Sequence, residues 1–216
     1  GGVMDAADTA EAPVHLINSG PSMGPVGARA AAPDGMADTL IVGDTGGTTF
    51  DVSLVRGGRI PRPREPWLGR PLSSHMTGMP SVDTKSIGAG GGSIAWVDKG
   101  GMLRVGPQSA GSVPGPACYG NGGDQPTVTD ANVLLGRISP DNFLGGAMKL
   151  DADAARRAVS RVAEAIGHPP LDCALAIVRL ANANMEGALR SVLIERGLDP
   201  RDFTLVAFGG AGPLHA

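Results

Sequence analysis

The sequence predicts a mixed α/β fold. In its first third, two β-branched runs, Thr39 to Val42 and Val52 to Val55, flank a glycine- and threonine-rich turn. From residue 129 onward, apolar residues recur at helical spacing, and the segment "FTLVAFGG" (Phe203 to Gly210) has the composition of a buried strand that leads into a glycine turn. Strands followed by helices and a further strand indicate an α/β or α+β domain.

The first half of the chain is predicted to be rich in turns. Residues 1–18 are predicted to be mostly a lead-in segment before the first regular element. The segment "SGPSMGPVGARAAA" (Ser19 to Ala32) predicts a short helix with a serine cap and small side chains suited to close packing. The two β-branched runs predict a hairpin with an enlarged loop. Glycine and proline dominate from Pro61 to Gly123, within which we expect short strands at Ser93 to Val97 and Leu103 to Val105, joined by "DKGG".

The second half is predicted to be helical. "TDANVLLGR" indicates a short helix capped by Thr129 or Asp130, and Asp151 to Gly167 has an aspartate cap and a closing glycine. The longest helix is predicted over Leu171 to Arg196, where apolar residues follow each other at steps of three and four. These residues are Leu171, Ala174, Leu175, Val178, Ala181, Met185, Leu189 and Val192.

Composition excludes several classes of protein. The net charge is −3 with no dense Lys/Arg run, which argues against a nucleic-acid partner. No apolar run is long enough to span a bilayer, and no signal pattern begins the chain, so we expect a cytoplasmic protein without a membrane partner. The two distant cysteines, Cys118 and Cys173, favour buried reduced thiols over a disulfide. The chain starts without methionine and stops after a glycine turn, which we interpret as an internal fragment of a longer protein.

The turn in "GDTGGTTFDVSLVRGG" (Gly43 to Gly58) carries a candidate chemistry. A phosphate binds well where backbone N–H groups converge without an intervening Cβ, and Gly46 and Gly47 meet that need. Thr48 and Thr49 add hydroxyl donors. Asp44 can hold a hydrated Mg²⁺ or orient a water, and Asp51 can fix the turn or share the metal. By composition alone, an ordinary glycine-rich hairpin with an exposed aspartate is an equal alternative.

The spacing D-x-G-G-T-T-x-D before an apolar strand resembles the second phosphate loop of the actin, sugar-kinase and heat-shock-chaperone ATPase superfamily. The small-residue helix before it and "LVAFGGAGPLHA" (Leu205 to Ala216) resemble that superfamily's connecting helix and adenosine loop. The resemblance implies ATP with Mg²⁺, and it implies nucleotide contacts at Gly209, Gly210 and Gly212 in addition to the turn.

Longer blocks narrow the resemblance to the hydantoinase A / oxoprolinase family. They include "SIGAGGGSIAWVD", "VGPQSAGSVPGPACYGNGG", "PTVTDANVLLGRI" and "RGLDPRDFTLVAFGGAGPLHA". The resemblance implies an actin-like, ribonuclease H-like domain half with a mixed sheet, C-terminal helices and an inserted Gly/Pro-rich β segment. Its parts would be 19–56 (connecting helix and phosphate hairpin), 57–128 (insert) and 129–216 (helices and adenosine-type loop).

Members of that family open cyclic amides such as hydantoin, N-methylhydantoin or 5-oxoproline at the expense of ATP. The resemblance therefore implies such a hydrolase, working with a second, hydantoinase B-type subunit or domain. The ATP-consuming subunit of an acetone or ketone carboxylase and a non-catalytic actin-like nucleotide switch are the alternatives. The superfamily's first phosphate loop is absent from these 216 residues, so we expect the piece alone to be inactive.

A further divalent metal is a separate expectation. His75 and Asp83 flank a Gly/Pro loop and His215 follows the adenosine-type turn, so these three are candidate ligands, with surface or capping roles as the alternative. Asp130 is predicted to cap a helix, with a role behind the nucleotide cleft as its alternative. "GAGGGS" (Gly88 to Ser93) is either a flexible strand entry or a close approach of backbone to ligand.

Overall fold

The structure is a computed structural model that describes residues 4–63, 67–68, 72–79 and 81–216. These residues form two compact units. Unit 1 contains Gly1–Asp44, Asp51–Lys85 and Val192–Phe208, and unit 2 contains Thr45–Phe50, Ser86–Ser191 and Gly209–Ala216. The segment from Arg59 to Arg70, whose four arginines come closest to a basic run, lies partly outside the described residues.

The described chain contains five α-helices and eight strands. The helices are α1 (Ala6–Glu11), α2 (Ser19–Ala31), α3 (Val128–Leu134), α4 (Ala152–Ile166) and α5 (Pro170–Ile194). The strands are β1 (Thr39–Thr45), β2 (Phe50–Arg56), β3 (Trp67–Leu68), β4 (His75–Met76), β5 (Lys85–Ile87), β6 (Ser93–Val97), β7 (Leu103–Ser109) and β8 (Thr204–Phe208). Residues 1–18, predicted as a lead-in, include α1 and a 3-10 turn at Pro13–Leu16.

A four-stranded sheet has the order β5-β2-β1-β8, and most of β2, β1 and β8 belongs to unit 1. β1 and β8 run parallel, with Leu40 opposite Thr204 and Asp44 opposite Phe208. The connection between β1 and β2 is too short for a parallel crossover, so these neighbours form an antiparallel hairpin. The sheet is therefore mixed, and the predicted α/β class and the predicted hairpin are both confirmed.

Helix α2 packs on this sheet through small residues. A Cβ built on Gly24 would lie 3.6 Å from Val42 Cγ1, and Ala28 belongs to the same buried cluster as Leu40 and Val42. Close packing of a small-residue helix, as the sequence predicts, is confirmed. The predicted cap is wrong, because Asn18 in the left-handed region precedes the helix and Ser19 is its first helical residue.

The hairpin β6–β7 and helices α3, α4 and α5 build unit 2. The two strands are antiparallel around "DKGG", as predicted, although β7 continues to Ser109. Their inner side chains, Ala95 and Val105, share a buried cluster with Val159 of α4 and Ile177 of α5. The two C-terminal helices thus pack on this hairpin, whereas α2 covers the four-stranded sheet.

The observed cap residues agree with the prediction in α4 but not in α3. Asp151 caps α4 through a bond from the Ala154 amide, and Gly167 closes it with a φ of 69°. In α3 the N-cap is Thr127, which is extended, so the prediction of Thr129 or Asp130 as N-cap is wrong. Asp130 is the third helical residue and completes a capping box with Thr127.

Two predictions about burial need correction. Leu171 lies on the predicted apolar stripe, but its position in the first turn of α5 leaves it 53% exposed. The sequence predicts a buried strand at β8, but β8 is the edge strand of the described sheet and Leu205 is 48% exposed. In the rest of the stripe, Leu175 and Leu189 are half-buried, and the other residues are core: Ala174, Val178, Ala181, Met185 and Val192.

Both cysteines are free and buried, as predicted. Burial, followed by the negative charge of Asp130, raises the pKa of Cys118, so that this thiol stays protonated and serves packing. No helix within the described ranges is both long enough and apolar enough to cross a bilayer.

Candidate functional site

Two carboxylates stand where β1 and β2 meet the turn. Asp44 lies at the end of β1 and is partly buried, and Asp51 in β2 is only 8% exposed. Burial raises the pKa of Asp44, and the negative charge of Asp51 raises it further. A pair of carboxylates that repel each other across the start of a turn matches the oxygen-rich donor set that Mg²⁺ prefers.

The turn itself, residues 46–49, belongs to unit 2 and is held from behind. Its ends are closed by a bond from the Gly46 amide to the Thr49 carbonyl, 3.0 Å long. The carbonyls of Gly46 and Gly47 accept hydrogen bonds from the amides of Gly91 and Gly92, at 3.0 Å and 2.6 Å. We call residues Gly90 to Gly92 the glycine strap.

These two bonds decide where the amides of the turn point. In a trans peptide the C=O of one residue and the N–H of the next point in opposite directions, and both peptide bonds here are trans. Because the Gly46 and Gly47 carbonyls face the glycine strap, the N–H groups of Gly47 and Thr48 point away from it. Both residues are exposed, and neither amide donates to an acceptor within the described part of the chain.

The glycines of the turn and those of the strap have different reasons for being glycine. A Cβ at Gly47 would meet nothing within 4 Å, and the φ values of Gly46 and Gly47 lie outside the left-handed region. By contrast, a Cβ at Gly90 would lie 2.7 Å from the Gly46 carbonyl oxygen, and one at Gly92 would lie 2.8 Å from that of Gly47. The fold needs glycine in the strap, whereas in the turn glycine leaves space above two outward-facing amides.

The start of α3 lies behind the strap. The backbone amide and the hydroxyl of Thr129 both donate to the Gly91 carbonyl, at 2.8 Å and 2.9 Å. Asp130, fully buried, accepts bonds from the amides of Ala117, Cys118 and Thr127 and from the Thr127 hydroxyl. Asp130 is therefore not the N-cap itself but the third residue of the capping box around Thr127, and its carboxylate also fixes the segment around Cys118.

Asp130→Ala is expected to lower the free energy of unfolding by about 3 kcal/mol or more, because three buried amides lose a charged acceptor. Asp130→Asn keeps the shape and one acceptor oxygen, so its loss should be smaller. Chemical denaturation of the three proteins measures this order. Equal stability of the alanine variant and the wild type would contradict the assigned role.

The glycine turn after β8 contacts the beginning of the phosphate-type turn. Gly209 adopts a φ of 81°, and the Ala211 amide donates to the Thr45 carbonyl at 3.0 Å, within unit 2. Gly212 is buried at the start of a 3-10 turn, Gly212–Leu214, while Gly210 is exposed. Nucleotide contacts at Gly209, Gly210 and Gly212 stay a prediction. The bond from Ala211 to Thr45 holds this glycine turn next to the start of the phosphate-type turn.

The three candidate metal ligands have separate surroundings. His75 is exposed on β4, and Asp83 is paired with Arg196. His215 Nδ1 lies 2.7 Å from Asn182 Oδ1, and burial, with the positive charge of Arg137, lowers its pKa. Among the residues whose placement is described, no group of three or more His, Cys, Asp or Glu side chains could hold a metal ion. Metal binding by these three residues stays a prediction from the sequence.

Sequence reasoning missed the supporting residues. The glycine run "GAGGGS" signalled a close backbone approach, but its partner proved to be the turn at Gly46 and Gly47. The sequence around Thr129 predicts only a helix cap, and it gives no sign of the bond to Gly91, which lies 38 residues away.

Comparison with known proteins identifies the relatives of this chain. Residues 1–216 match the Hydantoinase/oxoprolinase family. The chain is 44% identical over 217 residues to caprolactamase subunit alpha of Pseudomonas jessenii, with all of this chain and 30% of that protein covered. The crystal structure of the ATP-dependent caprolactamase from that organism superposes with a TM-score of 0.79 at 45% identity. The match covers 92% of this chain and 28% of the caprolactamase chain.

A second solved structure is similar over the same share of this chain. Nucleotide-free acetone carboxylase, from work on ATP-dependent acetone carboxylation, superposes with a TM-score of 0.82 at 33% identity, again over 92% of this chain and 28% of that chain. The chain therefore spans less than a third of the relatives it matches. These likenesses confirm the mixed α/β fold and are consistent with an actin-like ATPase type. With its full length matched, the chain belongs to the Hydantoinase/oxoprolinase family.

Proposed function

We propose that this chain is the nucleotide-binding part of an ATP-dependent hydrolase that opens cyclic amides. The observation that supports this most is the pair of exposed amides at Gly47 and Thr48, held outward by the glycine strap. Such N–H groups stabilise the negative charge of a phosphate. The hydroxyls of Thr48 and Thr49 would add donors to the same group, and Gly209 to Gly212 would border the adenosine.

The residues at the strand ends fit a magnesium ion. Asp44 and Asp51 would hold Mg²⁺ or its waters, and the ion would neutralise charge on the phosphoryl group in transfer. The raised pKa of Asp44 favours proton uptake relative to an ordinary aspartate, which suits a carboxylate that orients a water. Catalysis would then depend on positioning and charge, without a protein nucleophile.

Phosphoryl transfer overcomes the low reactivity of the amide. Nitrogen donates electrons into the carbonyl of a lactam, so attack by water is slow at neutral pH. Transfer of the γ-phosphoryl group to the amide oxygen releases ADP and activates the carbon. Addition of water and cleavage of the C–N bond then give an amine and an acyl phosphate, which a second water hydrolyses to a carboxylate and phosphate.

We take lactams as the substrate class, since the caprolactamase subunit is 44% identical to this chain, whereas the acetophenone carboxylase gamma subunit is 41% and the acetone carboxylase beta subunit 34% identical. Hydantoin, N-methylhydantoin and 5-oxoproline share the same cyclic amide. The carboxylase alternative has its own support in the TM-score of 0.82. For that reaction the same phosphate site would activate a ketone.

A partner subunit is part of the proposal. The caprolactamase relative is named as a subunit, and other relatives are named as carboxylase subunits. We infer a second, hydantoinase B-type subunit or domain for this protein, and no turnover by the 216-residue chain alone. Two free buried cysteines are compatible with a cytoplasmic location.

Phosphate release by the full-length protein with its partner subunit tests the proposal. ATP hydrolysis is expected to rise when caprolactam, hydantoin or 5-oxoproline is added, and to stay at its basal rate with cycloheptanone, a ketone of the same ring size as caprolactam. Stimulation by acetone with bicarbonate, and by none of the amides, would favour the carboxylase. Nucleotide binding without stimulation by either class would favour a non-catalytic switch.

A further inference from the structure

We propose that Thr129 is a positioning residue for the phosphate-binding turn, acting on the Thr48 amide through two peptide groups. This inference rests on the proposed function, since it assigns to Thr129 an effect on the binding of a nucleotide phosphate. It concerns unit 2 alone, because Thr129, the glycine strap and residues 45–50 all belong to that unit.

The connection begins at α3. The Thr129 hydroxyl and its backbone amide converge on one acceptor, the Gly91 carbonyl, at 2.9 Å and 2.8 Å. In the same peptide group, the Gly92 N–H points the opposite way and donates to the Gly47 carbonyl at 2.6 Å. That carbonyl shares its peptide group with the Thr48 N–H, which points outward.

A row of aligned hydrogen bonds therefore runs from Thr129 to the proposed phosphate site. Each bond in such a row polarises the next, so that the last N–H becomes a better donor. The row also fixes orientation, since a peptide plane held at its carbonyl cannot turn its N–H away from the ligand. Thr129 is 7% exposed and does not itself reach the outward face of the turn, so it acts through the strap.

The hydroxyl of Thr129 can be removed without removing the helix. The capping box of α3 depends on Thr127 and Asp130, and the Thr129 amide keeps its own bond to Gly91 in any side-chain variant. Thr129→Val preserves the β-branched shape and deletes one of the two donors. Thr129→Ser restores the donor and removes a methyl group.

Affinity for ATP and for adenosine, measured by calorimetry on the full-length protein, tests the proposal. Thr129→Val is expected to weaken ATP binding roughly fivefold, as one hydrogen bond is lost, and to leave adenosine binding unchanged. Thr129→Ser should bind ATP within about twofold of the wild type. Val133→Ala, a buried change on the same helix with no bond to the strap, is the matched control and should leave the ratio of the two affinities unchanged.

The contrary results are distinct. Wild-type affinity for ATP in Thr129→Val, or an equal loss of ATP and adenosine binding as expected from general destabilisation, would overturn the positioning role while ATP binding by the wild type still stands. A wild-type protein that binds adenosine and ATP equally would overturn the phosphate site itself, and the role of Thr129 with it.

Discussion

Asp44→Asn is expected to reduce ATP turnover by the full-length protein to about 1% or less of the wild-type rate, while the folded protein becomes more stable. Turnover falls because an amide neither holds Mg²⁺ well nor orients a water as a base. Stability rises because burial and the charge of Asp51 both oppose ionisation of Asp44 in the folded state. Phosphate release and thermal unfolding without nucleotide measure the two effects.

The pH dependence separates this explanation from a general effect on folding. The pKa of Asp44 is raised in the folded state above its ordinary 3.8, so the folded protein binds the proton more tightly than the unfolded chain. The ionised Asp44 therefore lowers the free energy of unfolding by its full amount above the raised pKa. This destabilisation disappears as the pH falls toward 3.8. The stability advantage of Asp44→Asn should be present near pH 7 and shrink toward about pH 4.

Asp34→Asn is the matched control, since it removes one exposed carboxylate from the same unit. It should change neither turnover nor the unfolding temperature. Retained turnover in Asp44→Asn would remove Asp44 from the mechanism. A stability difference that does not vary with pH would show that burial of the charge is not its cause.

Local signals explain which parts of the fold could be predicted. The β1–β2 hairpin, the β6–β7 hairpin and the ends of α4 each depend on residues that lie next to one another in the sequence, such as the aspartate at 151 and the glycine at 167. Cap assignments failed by one to three residues where several Ser, Thr or Asp side chains compete, as between Thr127 and Asp130.

Long-range contacts explain what could not be predicted. The turn at Gly46 and Gly47 has the composition of a phosphate loop, but the direction of its amides is set by hydrogen bonds from Gly91 and Gly92. The sequence around Gly91 and Gly92 has no periodic pattern that would indicate which backbone groups they bond to. The two hydrogen bonds from Thr129 to the Gly91 carbonyl could not be predicted either. A threonine at the start of a helix is already explained locally as a cap.

A pair of glycine-to-alanine variants tests whether turn and strap have the separate roles assigned to them. Gly47→Ala is expected to change the free energy of unfolding by no more than about 1 kcal/mol, because its methyl group meets nothing and its φ suits alanine. The same methyl group would occupy the space beside the outward amides. ATP affinity should therefore fall roughly tenfold or more, with adenosine affinity retained.

Gly90→Ala adds the same methyl group on the other side of the turn. There it would lie 2.7 Å from the Gly46 carbonyl oxygen and 2.8 Å from the Gly47 carbonyl carbon, backbone atoms that cannot rotate aside. Overpacking of this kind costs about 1–3 kcal/mol, so Gly90→Ala should unfold at lower denaturant than both the wild type and Gly47→Ala. ATP affinity should fall as well, because the displaced carbonyls no longer hold the amides outward. Full ATP affinity in Gly47→Ala would mean that phosphate does not bind at the outward amides, because a phosphate bound there would meet the added methyl group.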